Sequence, residues 1–290
     1  MTTSSKLVVV TGAASGIGGG LAREAIKRGH RVLMADYDEA ALVKSANDIA
    51  GAEAVVTDVT DPAQVDALAD RADALGGADL LFNNAGVMST GFSWEIPVAA
   101  WERSMRVNVG GVLNGARSFI PRMIARGKPA HIINTSSVGG FLPSPLMAPY
   151  SATKFAIVAI TESMMCELDM LEAPITVSLL APGPVHSAIF ENPFAGTVHP
   201  ATKGFVDYMQ EMSDEHGMDP DAFAALVFVA IERGDYWIIP QPETLDPLLA
   251  QRNAMIRERR KPVGSVVMDG GNDGGSNRES NGGSNGGSDD

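Results

Sequence analysis

The chain reads as an α/β protein built on a parallel sheet with helices on both faces. Three observations predict this class. From Lys6 to about Ile239, short β-rich runs alternate with longer helix-period stretches, the pattern of strands joined by crossover helices. Several of the β-rich runs are apolar almost throughout, as burial on both faces demands. The polar motifs that stand out fall at the carboxyl ends of these runs, where open α/β sheets bind ligands.

The first strand, KLVVVT, runs straight into Thr11 to Gly18 (TGAASGIG), and a helix-period segment continues from Ile17 to Arg28. Gly12, Gly16 and Gly18 stand where a Cβ would block either a phosphate or the helix–strand contact. Around them Ser15 and Ile17 open a helix whose backbone N–H groups and positive end point at a pyrophosphate. The second strand, RVLMAD, ends at Asp36, eighteen residues after Gly18. A carboxylate there accepts hydrogen bonds from ribose hydroxyls and repels a 2′-phosphate, so the turn is expected to take NAD rather than NADP. No Arg or Lys lies in the glycine turn, and Tyr37 follows Asp36. A competing role for Asp36, capping the helix that starts near Asp38, is compatible with the first.

Strand three, AVVTDV, closes on Asp58-Val59, and strand four, DLLFNN, on Asn83-Asn84-Ala85-Gly86. A long helical segment from Ala99 to Ala125 follows, with Asn108 as a polar residue in its apolar stripe, beside Gly110 and Gly111. Strand five, HIINTSS, ends on Ser136 and Ser137. Adjacent strand residues face opposite ways, so one of the two serines reaches a site at the strand's end. Tyr150 and Lys154, spaced i, i+4, share one face of the next helical stretch. A phenol has a pKa near 10, and an ammonium one turn away favours its ionised form, which would make Tyr150 an acid/base. Ser137 would hydrogen-bond a substrate oxygen as its charge changes. The last strands are ITVSLL and YWIIP.

The net charge of −13 disfavours nucleic acid and anionic membrane as partners. The short basic run Arg257, Arg259, Arg260 and Lys261 reads as a solvated helix face. The longest apolar run, Ala222 to Ile231, is too short to span a membrane. No signal peptide opens the chain, and the single cysteine, Cys166, excludes an internal disulfide; a cytoplasmic protein is expected. Cys166 lies in an apolar-periodic stretch and reads as a core residue. No metal is expected. From Gly264 to Asp290 the composition is mostly Gly, Asn, Ser and Asp, too poor in large side chains to offset chain entropy, so residues 1–262 form one domain and 263–290 a disordered tail.

Taken in order, TGAASGIG, NNAG, Asn108, Ser137, Tyr150-x-x-x-Lys154 and Pro182-Gly183 resemble the motif series of the short-chain dehydrogenase/reductase family, over roughly residues 5 to 240. The resemblance implies a doubly wound Rossmann-type parallel sheet of about seven strands. It implies a tetrad in which Asn108 helps hold a proton-relaying water and Ser137 orients the substrate. Tyr150 would exchange the proton, while Lys154 holds the nicotinamide ribose and lowers the Tyr150 pKa. By the same resemblance Asp58 meets the adenine and Val59, Asn84, Ala85 and Gly86 line the adenosine site. Pro182, Gly183, Val185 and Ser187 approach the nicotinamide, with Ser187 standing where the family often has Thr. The substrate lid is expected at about 186–220. Its residues Ile189, Phe190, Phe194, Phe205, Tyr208, Met209 and Met212, with Leu142, Leu146 and Met147 as walls, suggest an apolar pocket. A secondary alcohol or ketone, apolar or aromatic, is the expected substrate. One segment is similar to bacterial members that oxidise benzylic alcohols in lignin-derived compounds. A homo-oligomer, tetramer or dimer, is expected as well. The rival readings are redox-neutral chemistry on the same fold, and a non-catalytic NAD-sensing or partner-binding protein.

Overall fold

The computed structural model describes residues 5–191, 193–196 and 198–263. Of the expected tail, 263–290, residues 264–290 lie outside the described residues. The elements run β1 (Leu7–Thr11), α1 (Gly16–Lys27), β2 (Arg31–Asp36), α2 (Glu39–Asn47), β3 (Ala52–Val56), α3 (Pro62–Ala74) and β4 (Leu80–Asn83). Next come α4 (Val98–Ser104), a π-helical turn (Met105–Gly110), α5 (Gly111–Arg126), β5 (Ala130–Thr135), α6 (Ala148–Met170) and β6 (Ile175–Leu180). The chain continues with α7 (Pro200–His216), α8 (Pro220–Arg233), β7 (Trp237–Ile238) and α9 (Asp246–Arg257).

The strands lie in the order β3-β2-β1-β4-β5-β6-β7, and every pairing is parallel. Alternation along each strand divides its apolar side chains between two faces. Val8, Val10, Met34 and Phe82 pack with Leu21 of α1 and Phe223 and Phe228 of α8. Leu7, Val9, Leu33 and Leu81 pack with Leu68 of α3, Phe119 of α5, and Met164 and Leu168 of α6. These two buried layers give the doubly wound sheet of seven strands. Strand order reverses between β1 and β4, and at that switch point the carboxyl ends open into a crevice.

The differences from expectation are local. β3 stops at Val56, so Asp58 and Val59 stand in the following loop, where Asp58 Oδ1 accepts from the Thr60 N–H at 2.9 Å. β7 keeps only two residues of YWIIP. The helix expected over 99–125 is interrupted by the π turn, which contains Asn108. Cys166 is exposed rather than in the core. α6 carries apolar residues around most of its circumference, and it buries the row Ile157, Thr161, Met164 and Leu168 instead. The basic run is exposed, as expected, but only Arg257 lies on a helix, as the last residue of α9; Arg259, Arg260 and Lys261 follow its end.

Candidate active site

The glycine turn is tied down from two strands. Thr11 Oγ1 accepts the N–H groups of Asn84 at 2.9 Å and Ala85 at 3.1 Å, and Asn84 Nδ2 donates to the Thr11 carbonyl at 3.0 Å. These bonds latch the end of β1 to the NNAG segment. A Cβ on Gly18 would stand 2.0 Å from the Gly12 carbonyl oxygen, and one on Gly12, whose φ is +66°, would stand 2.8 Å from Ala85 Cα. On Gly16, φ +50°, it would meet Ser187 Cβ at 2.9 Å. The loop Pro182–Ser187 therefore rests against the glycine turn. Ser15, at the N-cap of α1, makes no capping bond with its side chain, and the first-turn N–H groups of α1, from Gly16 and Ile17 onward, face the crevice without an intrahelical acceptor. This backbone cradle, open only while those positions lack side chains, fits a pyrophosphate.

Asp36 is half-buried at the end of β2. Its oxygens accept from the Ala14 N–H at 3.1 Å and the Asp38 N–H at 3.2 Å. It is not the cap of α2: Asp38 is, accepting from the Ala41 N–H. On the other side of the crevice Gly183 donates its N–H to Gln241 Oε1 at 3.1 Å, while Gln241 Nε2 donates to the Pro184 carbonyl at 2.8 Å. Val185 is buried and bridges to Met218.

Ser137, Tyr150 and Lys154 come together beside this crevice. Ser137 continues β5 in an extended conformation, and its hydroxyl accepts the Gly139 N–H at 3.0 Å. A Cβ on Gly139 would stand 3.5 Å from Ser137 Oγ and 3.3 Å from the Tyr150 ring, so the two side chains are neighbours. Ser136 points the other way and donates to the Lys154 carbonyl at 2.8 Å, so alternation decides between the two serines. α6 buries Tyr150 and Lys154 on one face. Lys154 Nζ donates to the Thr135 carbonyl at 2.9 Å and lies 5.5 Å from the centre of the Tyr150 ring. Asn108 closes the group: its Oδ1 accepts the Val87 N–H at 2.8 Å, and its Nδ2 donates to the Val87 carbonyl and to Thr153 Oγ1. A Cβ on Gly86 would lie 3.5 Å from both Asn108 Oδ1 and Lys154 Nζ. The widened π turn thus carries an amide that clamps the loop after β4; such turns recur at functional sites.

Residues 6–197 match the family model described as short chain dehydrogenase. The chain belongs to the short-chain dehydrogenase/reductase family of oxidoreductases. It is 33% identical to a C alpha-dehydrogenase of Sphingobium sp. (strain NBRC 103272 / SYK-6) over 265 residues, 87% of this chain and 85% of that protein. A short-chain dehydrogenase/reductase from Burkholderia phymatum, solved with NAD, is 32% identical. It superposes with a TM-score of 0.86 over 92% of this chain and all of the other. Another, from Sphingobium yanoikuyae with NADPH, is 25% identical with a TM-score of 0.69, over 90% of this chain and 99% of the other.

Electrostatically, this dehydrogenase holds its polar pair under strong desolvation. Burial pushes the Tyr150 phenol above its ordinary pKa, with the Ser137 hydroxyl pulling the opposite way. Burial also brings the Lys154 ammonium down to about 8. Within the protein, burial sets the direction of the phenol's shift, opposite to the lowering expected from Lys154.

The apolar pocket lies on the lid side of Tyr150. Met88, Met147, Tyr150, Phe205 and Val206 form one cluster, joined by Leu146, Ile189, Phe190 and Met209. A cavity of about 430 Å³ adjoins it, lined by Phe92, Ser93, Trp94, Pro145, Leu146, Ala201 and Phe205. Of the expected lid residues, Phe194 pairs instead with Thr90. Tyr208 and Met212 are not among the residues of this cluster, and Leu142 is buried but does not line the cavity. The Phe92–Trp94 wall and Gln241 escaped the sequence reading. The one cue to that wall was two aromatic rings shortly after NNAG.

Proposed function

We propose that this chain transfers a hydride between NAD and a secondary alcohol or ketone with an apolar, aryl-bearing skeleton. The observation that carries this reading is the convergence of Ser137, Tyr150 and Lys154, all buried, at the carboxyl edge of the sheet beside the glycine cradle. When bound, the nicotinamide ring supplies the acceptor or donor of the hydride. The chain's own residues do the rest. Ser137 donates to the reacting oxygen, while Tyr150 takes the alcohol's proton as the ketone forms and returns it in the reverse direction. Lys154, fixed by the Thr135 carbonyl, holds the nicotinamide ribose and offers positive charge toward the phenol. Asn108 holds the loop that positions Gly86 and orders a proton path to Lys154.

Gly12, Ser15, Gly16, Ile17 and Gly18 would receive the pyrophosphate. Asp58, Val59, Asn84, Ala85 and Gly86 would border the adenosine. Pro182, Gly183, Val185 and Ser187 would flank the nicotinamide. The Asp36 carboxylate supports NAD over NADP, because a 2′-phosphate would meet a negative charge there. Residues 1–262 would act as one catalytic domain with its lid at 186–220 and 263–290 as an appended tail. Among the described residues no helix is long and apolar enough to cross a membrane, in keeping with work in the cytoplasm. The exposed Met105 and Ile124 on the long helical segment, and Met170 on α6, support assembly into a homo-oligomer, a tetramer or dimer.

The test is absorbance at 340 nm with aryl and alicyclic secondary alcohols and either dinucleotide. NAD should be preferred at least tenfold. Tyr150→Phe should lower kcat more than a thousandfold while NAD still binds. Equal use of NADP would overturn the Asp36 reading, and full turnover by Tyr150→Phe the mechanism.

A further inference from the structure

The cavity beside Tyr150 has an aromatic wall that the chemistry above does not use. Phe92 and Trp94 stack with ring centres 5.1 Å apart and planes 27° from parallel. His199 meets Phe92 edge-on, also at 5.1 Å. The wall is anchored from behind. Thr90 takes its N–H and its hydroxyl to the Pro193 carbonyl, at 2.7 and 2.9 Å, and Gly91 donates to the Leu146 carbonyl at 2.9 Å. Leu146 makes that bond from a left-handed backbone, φ +61°, a strained state for a residue with a side chain. Yet Trp94, on this anchored wall, leaves 80% of its surface exposed.

A large indole facing water at the wall of an apolar cavity is a surface awaiting a partner. Among the described residues no ionisable side chain lines the cavity, and its polar groups are the Ser93 hydroxyl and the Trp94 indole N–H. A charged substrate tail would lose its hydration there without a counter-charge. A flat, uncharged ring would gain an offset stack on an aromatic face already held in place. The cavity's volume suits a ligand of moderate size, not a small alkanol alone. Leu146 and Phe205 belong both to the cavity lining and to the cluster around Tyr150, so the cavity shares two of its walls with the packing around the phenol.

We propose that Trp94, backed by Phe92, is the specificity-determining platform that holds a planar, uncharged aromatic ring of the substrate remote from the reacting carbon. This rests on the dehydrogenase reading above and deepens it. The test compares acetophenone, 2-acetonaphthone, cyclohexyl methyl ketone and 2-butanone with NADH in the full chain. Trp94→Ala should raise KM for 2-acetonaphthone about tenfold and for 2-butanone less than twofold, with kcat within twofold for both. Trp94→Phe should recover most of the loss. Cyclohexyl methyl ketone, similar in size to acetophenone but puckered, should show the higher KM of the two in the unaltered protein and little change in Trp94→Ala.

A second readout is independent of turnover. In a variant carrying Trp101→Phe and Trp237→Phe, 2-acetonaphthone should quench the remaining Trp94 fluorescence saturably. Quenching without turnover would overturn the catalytic reading and leave the platform standing. Turnover without quenching, or KM values that move together for aryl and alkyl ketones, would overturn the platform. Neither turnover nor quenching would overturn both.

Discussion

In the proposed mechanism Lys154 would serve chemistry against stability. Its ammonium is buried, and the desolvation that brings its pKa to about 8 weakens the folded state. The unfolded chain holds that proton up to about 10.5. The sign follows: the penalty is fully present below pH 8 and disappears as pH rises from about 8 to 10.5. Lys154→Met should therefore abolish turnover yet stabilise the protein at pH 7, by roughly 2 kcal/mol after loss of the Thr135 hydrogen bond. Thermal unfolding at pH 7 checks it; a lower Tm would show that the hydrogen bond outweighs desolvation. The residues of this cluster were legible through their spacing and motif order; alternation said only that one of Ser136 and Ser137 faces the crevice, and the bond from Ser136 to the Lys154 carbonyl leaves Ser137. Trp94 was not legible, because a tryptophan in a loop carries no sign of what it faces.

At the scale of elements, the βα turn after β1 depends on a contact between two pieces of backbone. A Cβ on Gly18 would lie 2.0 Å from the Gly12 carbonyl oxygen, and neither group has a flexible end that can move aside. Gly18→Ala should cost about 2 to 3 kcal/mol of stability, as overpacking does, and weaken binding of the proposed dinucleotide more than tenfold. Chemical denaturation and a dinucleotide titration read the two effects; unchanged affinity would show that the turn relaxes without disturbing the cradle. The glycine spacing was visible in the sequence because the turn needs it. The π turn at Met105–Gly110 was not. Helical periodicity continues across a single widened turn, and what holds Asn108 there is the Val87 backbone on another segment. The same limit applies to α6. With apolar residues around most of it, periodicity does not select the buried face, and Cys166 came out exposed.

For the molecule as a whole, an imidazole in the middle of the sheet couples stability to pH. His131 on β5 pairs through Nε2 with Ser178 Oγ on β6 at 2.7 Å, and burial lowers its pKa to about 4. The unfolded chain takes the proton near pH 6.5. The folded state is thus at no disadvantage above pH 6.5 and loses stability as pH falls toward 4. The loss reaches on the order of 2 kcal/mol by pH 5. Comparing Tm at pH 7 and pH 5 in the unaltered protein and in His131→Gln isolates this contribution, since changes in the overall charge of −13 act on both. An equal pH dependence in the two proteins would remove His131 from the account.

From the sequence alone came the parallel α/β class, the strand order of the motifs, the glycine turn and the Ser137–Tyr150–Lys154 group. Each rests on a local rule, such as the period of a strand or helix, or the space a Cβ needs. The tertiary structure alone decided which face of α6 is buried, how the π turn clamps the loop after β4, and that Phe92 and Trp94 wall the cavity beside Tyr150. Those outcomes depend on segments distant in the chain meeting at one place, and no local pattern records where they meet.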